Sequence, residues 1–364
     1  MRRAAPLILG GGPAGAAAAI TLARAGVRPI LLERTRETGD ALCGGFLSWR
    51  TLDRLRALGL EPDRLNTRRI TRVHVFAEER EAQAPLPFLA LAVSRHRLDM
   101  LMLELADRSG AGVERGVTAR TAAGREVTLA DGATLDPPAL FLATGKHDLR
   151  GLARPDDARG VDPTLGLRLR LGPARPLDRL IGDAVELHLF DRGYAGLVRQ
   201  EDGTANLCLA VRRSRLAEAG SPAALLAALG RDAPPLADRL AFMAADARFD
   251  AVANVPYGWR ATDGAAGLFR LGDQAGVIPS LAGEGMGIAL ASGLAAARAY
   301  FRDGPGAGAD WQPRFARSLA RPIGVAGLVR HVAEGRGAPW LVRAARPALI
   351  RMVADATRVA QTPA

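Results

Sequence analysis

The chain has two cysteines, and one of them, Cys43, stands in LCGGFLSW with Gly44 and Gly45 directly behind it. A thiol in a glycine-flanked loop either fills space as a small apolar group or faces something that reacts with it. Upstream, PLILGGGPAGAAAAI sets Gly10, Gly12 and Gly15 at G-x-G-x-x-G spacing, with Ala14 inside the turn. The first glycine permits a tight turn, the second lets the backbone approach a pyrophosphate, and the third lets the following helix pack closely on its strand. The N-terminus of that helix favours negative charge. A second apolar run, VRPILLE, ends at Glu33, followed by Arg34, where an acid bonds ribose hydroxyls. Strand, turn, helix and acid together predict a bound dinucleotide.

The far end of the chain narrows which one. LFRLGDQAGVIPSLAGEGMGIALASG reads as strand, turn, loop and small-residue helix, with Asp273 at the strand's end. This stretch resembles the second FAD motif of the p-hydroxybenzoate hydroxylase and geranylgeranyl reductase superfamily. The resemblance implies FAD as cofactor, with Asp273 at its ribityl chain and phosphates and Gly285 and Met286 at the flavin ring. VSRHRLDMLMLELA resembles the superfamily's helix start that places Arg95 near the pyrophosphate, and GVTART its strand whose Val117 meets adenine through the backbone. CGGFLSW resembles the cysteine loop of the geranylgeranyl reductase-like branch, which implies that Cys43 and Gly44 lie against the flavin.

Two departures qualify the resemblance. In PALFLATGKHDLRG, Thr144 replaces the acid that flavin hydroxylases carry before Gly145, and Arg150 alone keeps the basic end of the pattern. Lys146, in the same turn, is read as a solvated surface charge in preference to a phosphate contact. The prenyl reductases' run of aromatics is reduced to Tyr194, and Tyr257 in VPYGW is a second candidate at the substrate or under the flavin. The expected activity is flavin hydride transfer to a C=C bond of a hydrophobic, prenyl or polyketide-like molecule. In that chemistry a Cys43 thiol, mostly protonated at neutral pH in its unperturbed state, serves as proton donor. The alternative is an aromatic monooxygenase using NAD(P)H and oxygen, in which an accessible thiolate risks oxidation. A flavoprotein that only carries electrons is the third reading. No second glycine fingerprint follows a strand, so NAD(P)H or another reductant is expected to act transiently.

These residues require an α/β architecture: a Rossmann-like FAD domain with an inserted antiparallel substrate sheet and C-terminal helices. The alternation in GLRLRL, AVELHLF and ANLCLAV supplies the sheet. The expected bounds are 1–70, 94–150 and 253–300 for the FAD domain, 71–93 and 151–252 for the substrate domain, and 301–364 for the helices, entered through a Gly/Pro linker from Tyr300. At 364 residues and 48% hydrophobic content the chain has ample core. The net charge of +11 does not indicate nucleic acid, because the arginines are scattered among acids without interleaved aromatics. Of 49 basic residues only Lys146 is lysine. Cys43 and Cys208 make neither a disulfide framework nor a metal site. Without an apolar run of roughly 20 residues or a leader, a cytoplasmic location is expected. The stretch from Trp340 to Arg358 can lie on the inner membrane face or dock on its own domain, and no obligate protein partner is inferred.

Overall fold

The structure is a computed structural model that describes residues 5–360. At its centre lies a parallel five-stranded sheet in the order Leu268–Arg270, Leu140–Leu142, Leu7–Leu9, Ile30–Glu33, Gly112–Arg115. Its central strands are nearly all apolar because both faces are covered. Ile8 and Phe141 face the helices Pro13–Arg24, Arg95–Arg108 and Gly285–Asp303. Leu7, Leu9, Leu140 and Leu142 face Val127 and Leu129 of a three-stranded antiparallel layer, Ala119–Ala123, Glu126–Leu129 and Thr134–Leu135. Phe141 and Phe269, on neighbouring strands, stack at 4.7 Å.

The second sheet has eight strands, ordered Asp250–Val255, Thr164–Leu171, Ala205–Arg212, Gly193–Arg199, Ala184–Phe190, Ile70–Ala77, Arg80–Ala92, Phe46–Leu47. It is antiparallel apart from the pairing of Ala184–Phe190 with Ile70–Ala77. The period-two pattern has an unusual outcome here, since both faces are covered. Leu167, Leu169, Leu197 and Leu207 pack with Leu177 of Arg175–Ile181, Leu225 of Pro222–Asp232 and Leu236 of Pro234–Leu240. Their alternates, Arg168, Arg170, Asn206 and Cys208, share the opposite face, which meets the nucleotide domain.

The carboxyl-terminal region corrects one expectation. Tyr300 lies inside the helix Gly285–Asp303, and the linker shrinks to residues 304–306 before the helix Ala307–Ser318. Ala320–Ala333, Ala338–Ala344 and Pro347–Thr357 follow. Ala333, Ala338 and Val342 pack on Ala77, Leu189 and Tyr194 of the large sheet, and Val359 enters the core of the nucleotide domain. Within Trp340–Arg358, Val342, Thr357 and Arg358 are buried, while Trp340 and Met352 are exposed. Among the described residues no helix is long and apolar enough to cross a membrane.

The helices Pro13–Arg24 and Gly285–Asp303 lie side by side at backbone distance. A Cβ on Gly293 would stand 2.3 Å from the Ala14 carbonyl oxygen and 3.0 Å from the Ala18 nitrogen. Gly293→Val must therefore push the helices apart, and overpacking of this kind costs about 3 kcal/mol. Urea unfolding followed by circular dichroism is expected to show that loss, whereas Gly324→Val, in open space, should cost no more than the roughly 1 kcal/mol spanned by helix propensities.

Candidate active site

Gly10 has φ +105°, and a Cβ there would sit 2.4 Å from the Ala143 oxygen of the neighbouring strand. Only glycine allows that turn, and Gly15 lies against the Gly10 carbonyl from the helix side. Gly12 occupies the N-cap with no side chain to satisfy the helix's first N–H groups, which stay available to an anion. Ala14 packs under Gly272. Arg95 stands at the mouth of the turn, its Nη2 3.1 Å from where a Gly12 side chain would begin. Its guanidinium is forked onto Asp99 at 2.8 and 2.6 Å, and Ser94 caps the helix that carries both. Burial works against the charge of Arg95, but Asp99 outweighs it and holds the cation firmly protonated.

Glu33 closes the other side. Its Oε2 accepts from Gly11 N–H at 2.8 Å, and its Oε1 accepts from the backbone and hydroxyl of Thr35. Arg34 is exposed and meets His147 at 2.9 Å. Val117 precedes its strand instead of lying in it, because its N–H is drawn to the Glu33 carbonyl at 3.1 Å. That bond holds its backbone at the end of Ile30–Glu33.

Asp273 lies in the short turn Gly272–Gln274 that ends the strand Leu268–Arg270. Its Oδ2 is 3.2 Å from Lys146 Nζ. Lys146 is therefore not a free surface charge. Its side chain is 31% exposed, and Asp273 raises its pKa against the opposing effect of burial. Gly145 adopts φ +63°, and its carbonyl accepts from Gln274 Nε2 at 3.0 Å. Arg150, expected to keep the basic end of this pattern, is exposed. The buried Arg154 does that work, donating to Lys146 O at 2.7 Å and Asp273 O at 3.1 Å and pairing with Asp148 at 2.8 Å. Lys146, Arg154, Asn254 and Pro256 border a solvent-open cavity of about 110 Å³.

Cys43 is half-buried, within electrostatic reach of Arg95, Lys146 and Cys208. Its loop is fastened from the large sheet. Asn206 Nδ2 donates to the carbonyls of Cys43 and Gly44 at 2.9 and 3.0 Å, and Cys208 Sγ donates to the Cys43 carbonyl at 3.1 Å. Arg168 donates to Asp40 Oδ2 at 2.9 Å and to the carbonyls of Asp40 and Ala41, and Arg170 also reaches Asp40. Burial pushes the Cys208 thiol up to about 12, so it remains a thiol.

Above this loop, Tyr194 and Tyr257 both hydrogen-bond the Ser280 hydroxyl, Tyr257 at 2.6 Å. Burial raises the Tyr194 pKa well above its ordinary value. Lys146 feels Asp273, Cys43, Tyr257 and Arg95 at once, so groups far apart in sequence converge on one space. Gly285 opens the second helix with no atom within 4 Å of a would-be Cβ, and Met286 behind it is buried. Ser280 and Arg154 lacked any local signal, while Arg168 and Arg170 stood in view as the polar alternates of GLRLRL.

The residues fit FAD: the uncapped helix start at Gly12 and Arg95 would take the phosphates, Glu33 a ribose, Asp273 the ribityl chain, and the uncapped helix start at Gly285 the flavin ring. Residues 3–135 match the FAD binding domain family. Fold and site define a chain with the p-hydroxybenzoate hydroxylase-type fold whose first third is similar to FAD binding domains. Among solved structures, Pseudomonas aeruginosa PqsL in complex with 2-aminobenzoylacetate aligns with TM-score 0.75 and 19% identity over 94% of this chain and all of that one. A flavoprotein/dehydrogenase from Cytophaga hutchinsonii aligns at 0.78 and 16%, over 98% and 92%. Halogenase PltM in complex with phloroglucinol and FAD aligns at 0.73 and 13%, over 93% and 78%. No curated protein sequence matches the chain.

Two outcomes are expected. Arg95→Met removes a charge-assisted contact of about 1.5–3 kcal/mol and should weaken FAD binding roughly 10- to 100-fold in a titration of apoprotein. Asp40 is raised by burial but lowered overall by Arg170 and Arg168. A depressed carboxylate stabilises above its unfolded value of 3.8 and loses that contribution as pH falls. The stability gap between wild type and Asp40→Asn should be full at neutral pH and shrink below about pH 4 in urea titrations.

Proposed function

We propose that the protein is an FAD-dependent monooxygenase acting on a small, largely apolar aromatic molecule. The observation that carries this reading is end-to-end alignment with PqsL, described in another of its structures as a probable FAD-dependent monooxygenase. An apolar cluster beside the two tyrosines agrees with it: the large sheet and the helix Ala338–Ala344 bring Val75, Leu187 and Leu189 together with Tyr194 and Tyr257.

Bound FAD supplies the electron transfer. Within that frame, Arg95 and the Gly12 helix start hold the pyrophosphate, and Lys146 and the Gly285 helix start offset negative charge on the reduced cofactor. Tyr194, which stays protonated, and Tyr257 orient a polar group of the substrate through the hydroxyl cluster at Ser280. The reductant is NAD(P)H or another transient donor, because no second glycine fingerprint follows a strand in the sequence.

One observation favours a second reading, reduction of a C=C bond as in the geranylgeranyl reductase-like branch. Cys43 is half-buried in a loop held against the large sheet by Asn206 and Cys208, within electrostatic reach of Lys146 and Arg95.

The deciding experiment measures NAD(P)H oxidation and oxygen uptake with a panel of aromatic and prenyl compounds, then repeats turnover anaerobically. Oxygen uptake matched by a hydroxylated product, with Cys43→Ser retaining most of the rate, supports the monooxygenase. Anaerobic saturation of a C=C bond, lost in Cys43→Ser, replaces it with the reductase. Protein that takes up no FAD sinks both.

A further inference from the structure

Glu284 is fully buried immediately before Gly285, where the second helix begins, and no side chain caps that helix. A carboxylate desolvated there needs partners. Ser48 Oγ donates to its Oε2 at 3.0 Å, and Val359 N–H donates to its Oε1 at 3.3 Å. Arg358 Nη1 is 3.2 Å from Oε2, while Arg54 Nη1 stands 3.9 Å from Oε1 and makes no hydrogen bond. The absent side chain of Gly287 makes room, since a Cβ there would lie 2.4 Å from Oε1.

Arg358 is itself anchored. Its Nη1 donates to Ala282 O at 2.6 Å, and its guanidinium sits 5.1 Å over the Trp49 ring. Arg54, on the helix Trp49–Ala57 that continues the cysteine loop, donates to the carbonyls of Val359 and Ala360 at 2.9 and 3.1 Å. Residues 358–360 thus form a strap joining the segment behind Cys43 to the loop that opens the second helix. Neither nucleotide motif includes them.

We propose that Arg358, with the strap it belongs to, is a positioning element of the FAD site: by fixing and neutralising Glu284 it sets the shape and the charge of the helix start that meets the flavin. The proposal rests on the FAD reading above. A helix N-terminus carries roughly half a positive charge, which one uncompensated carboxylate would cancel. Arg54 and Arg358 together keep the local sum positive. The reduced cofactor, more negative than the oxidised one, depends on that sum more strongly.

The test titrates FAD into apoprotein and measures the flavin midpoint potential by dye equilibration for wild type, Arg358→Gln, Glu284→Gln and the double variant. Arg358→Gln is expected to raise the FAD Kd about tenfold and to lower the potential by about 30 mV, a further tenfold loss for the reduced form of a two-electron couple. Glu284→Gln should raise the potential by a similar amount, because the guanidiniums then act unopposed, and the double variant should return towards wild type. Folded Arg358→Gln with wild-type affinity and potential overturns the proposal, as does a loss of thermal stability alone. Should Arg358→Gln fail to fold, Glu284→Gln decides: an unchanged potential overturns it. Wild-type apoprotein that takes up no FAD would instead fault the cofactor reading.

Discussion

The packing of two helices at backbone distance is the constraint on which the rest of the molecule depends. A dinucleotide is long, anionic and polar at both ends, and the parallel sheet delivers the helices Pro13–Arg24 and Gly285–Asp303 to the same edge. They meet only because the residues between them are nearly featureless: Gly293 lies on the Ala14 carbonyl, and Gly272 on the Ala14 methyl. Runs of alanine and glycine that look like weak core material are what let these two helices pack at backbone distance. Larger side chains there would gain buried area and lose the site.

Around that mouth the chain uses arginine as internal fastening. Arg54, Arg154, Arg168, Arg239, Arg330 and Arg358 are buried. Arg154 ties the Lys146 turn to Asp273, and Arg168 ties the cysteine loop to the sheet. Arg239 forks onto the fully buried Glu186 at 3.0 and 2.7 Å beneath the sheet's helical cover. Buried ion pairs contribute little net stability compared with apolar packing, but breaking one is costly. Their effect here is to specify which loop lies on which strand.

What could be read early and what could not divides along sequence distance. Gly10, Gly12, Gly15 and Glu33 form a local strand-turn-helix unit whose geometry follows from steric rules, and the alternation of GLRLRL marks a strand just as locally. The same alternation does not say what the polar face of Arg168 and Arg170 meets. Lys146 was assigned to the surface because a charge in a turn usually is solvated. Its pairing with Asp273 arises from two strands that are neighbours in the sheet but distant in the chain.

The sequence by itself determined the nucleotide turn, the small-residue helices that follow it and Asp273, and the strands of the second sheet. Each of these rests on backbone sterics or periodicity within about twenty residues, which any copy of the segment would carry. Only the tertiary structure decided what faces what. It set Asn206, Cys208 and Arg168 onto the cysteine loop, joined Tyr194 and Tyr257 through Ser280, and folded Arg358 back onto Glu284. Those contacts are selected by how buried charges and hydroxyls find partners once water has been excluded, and that depends on the whole fold.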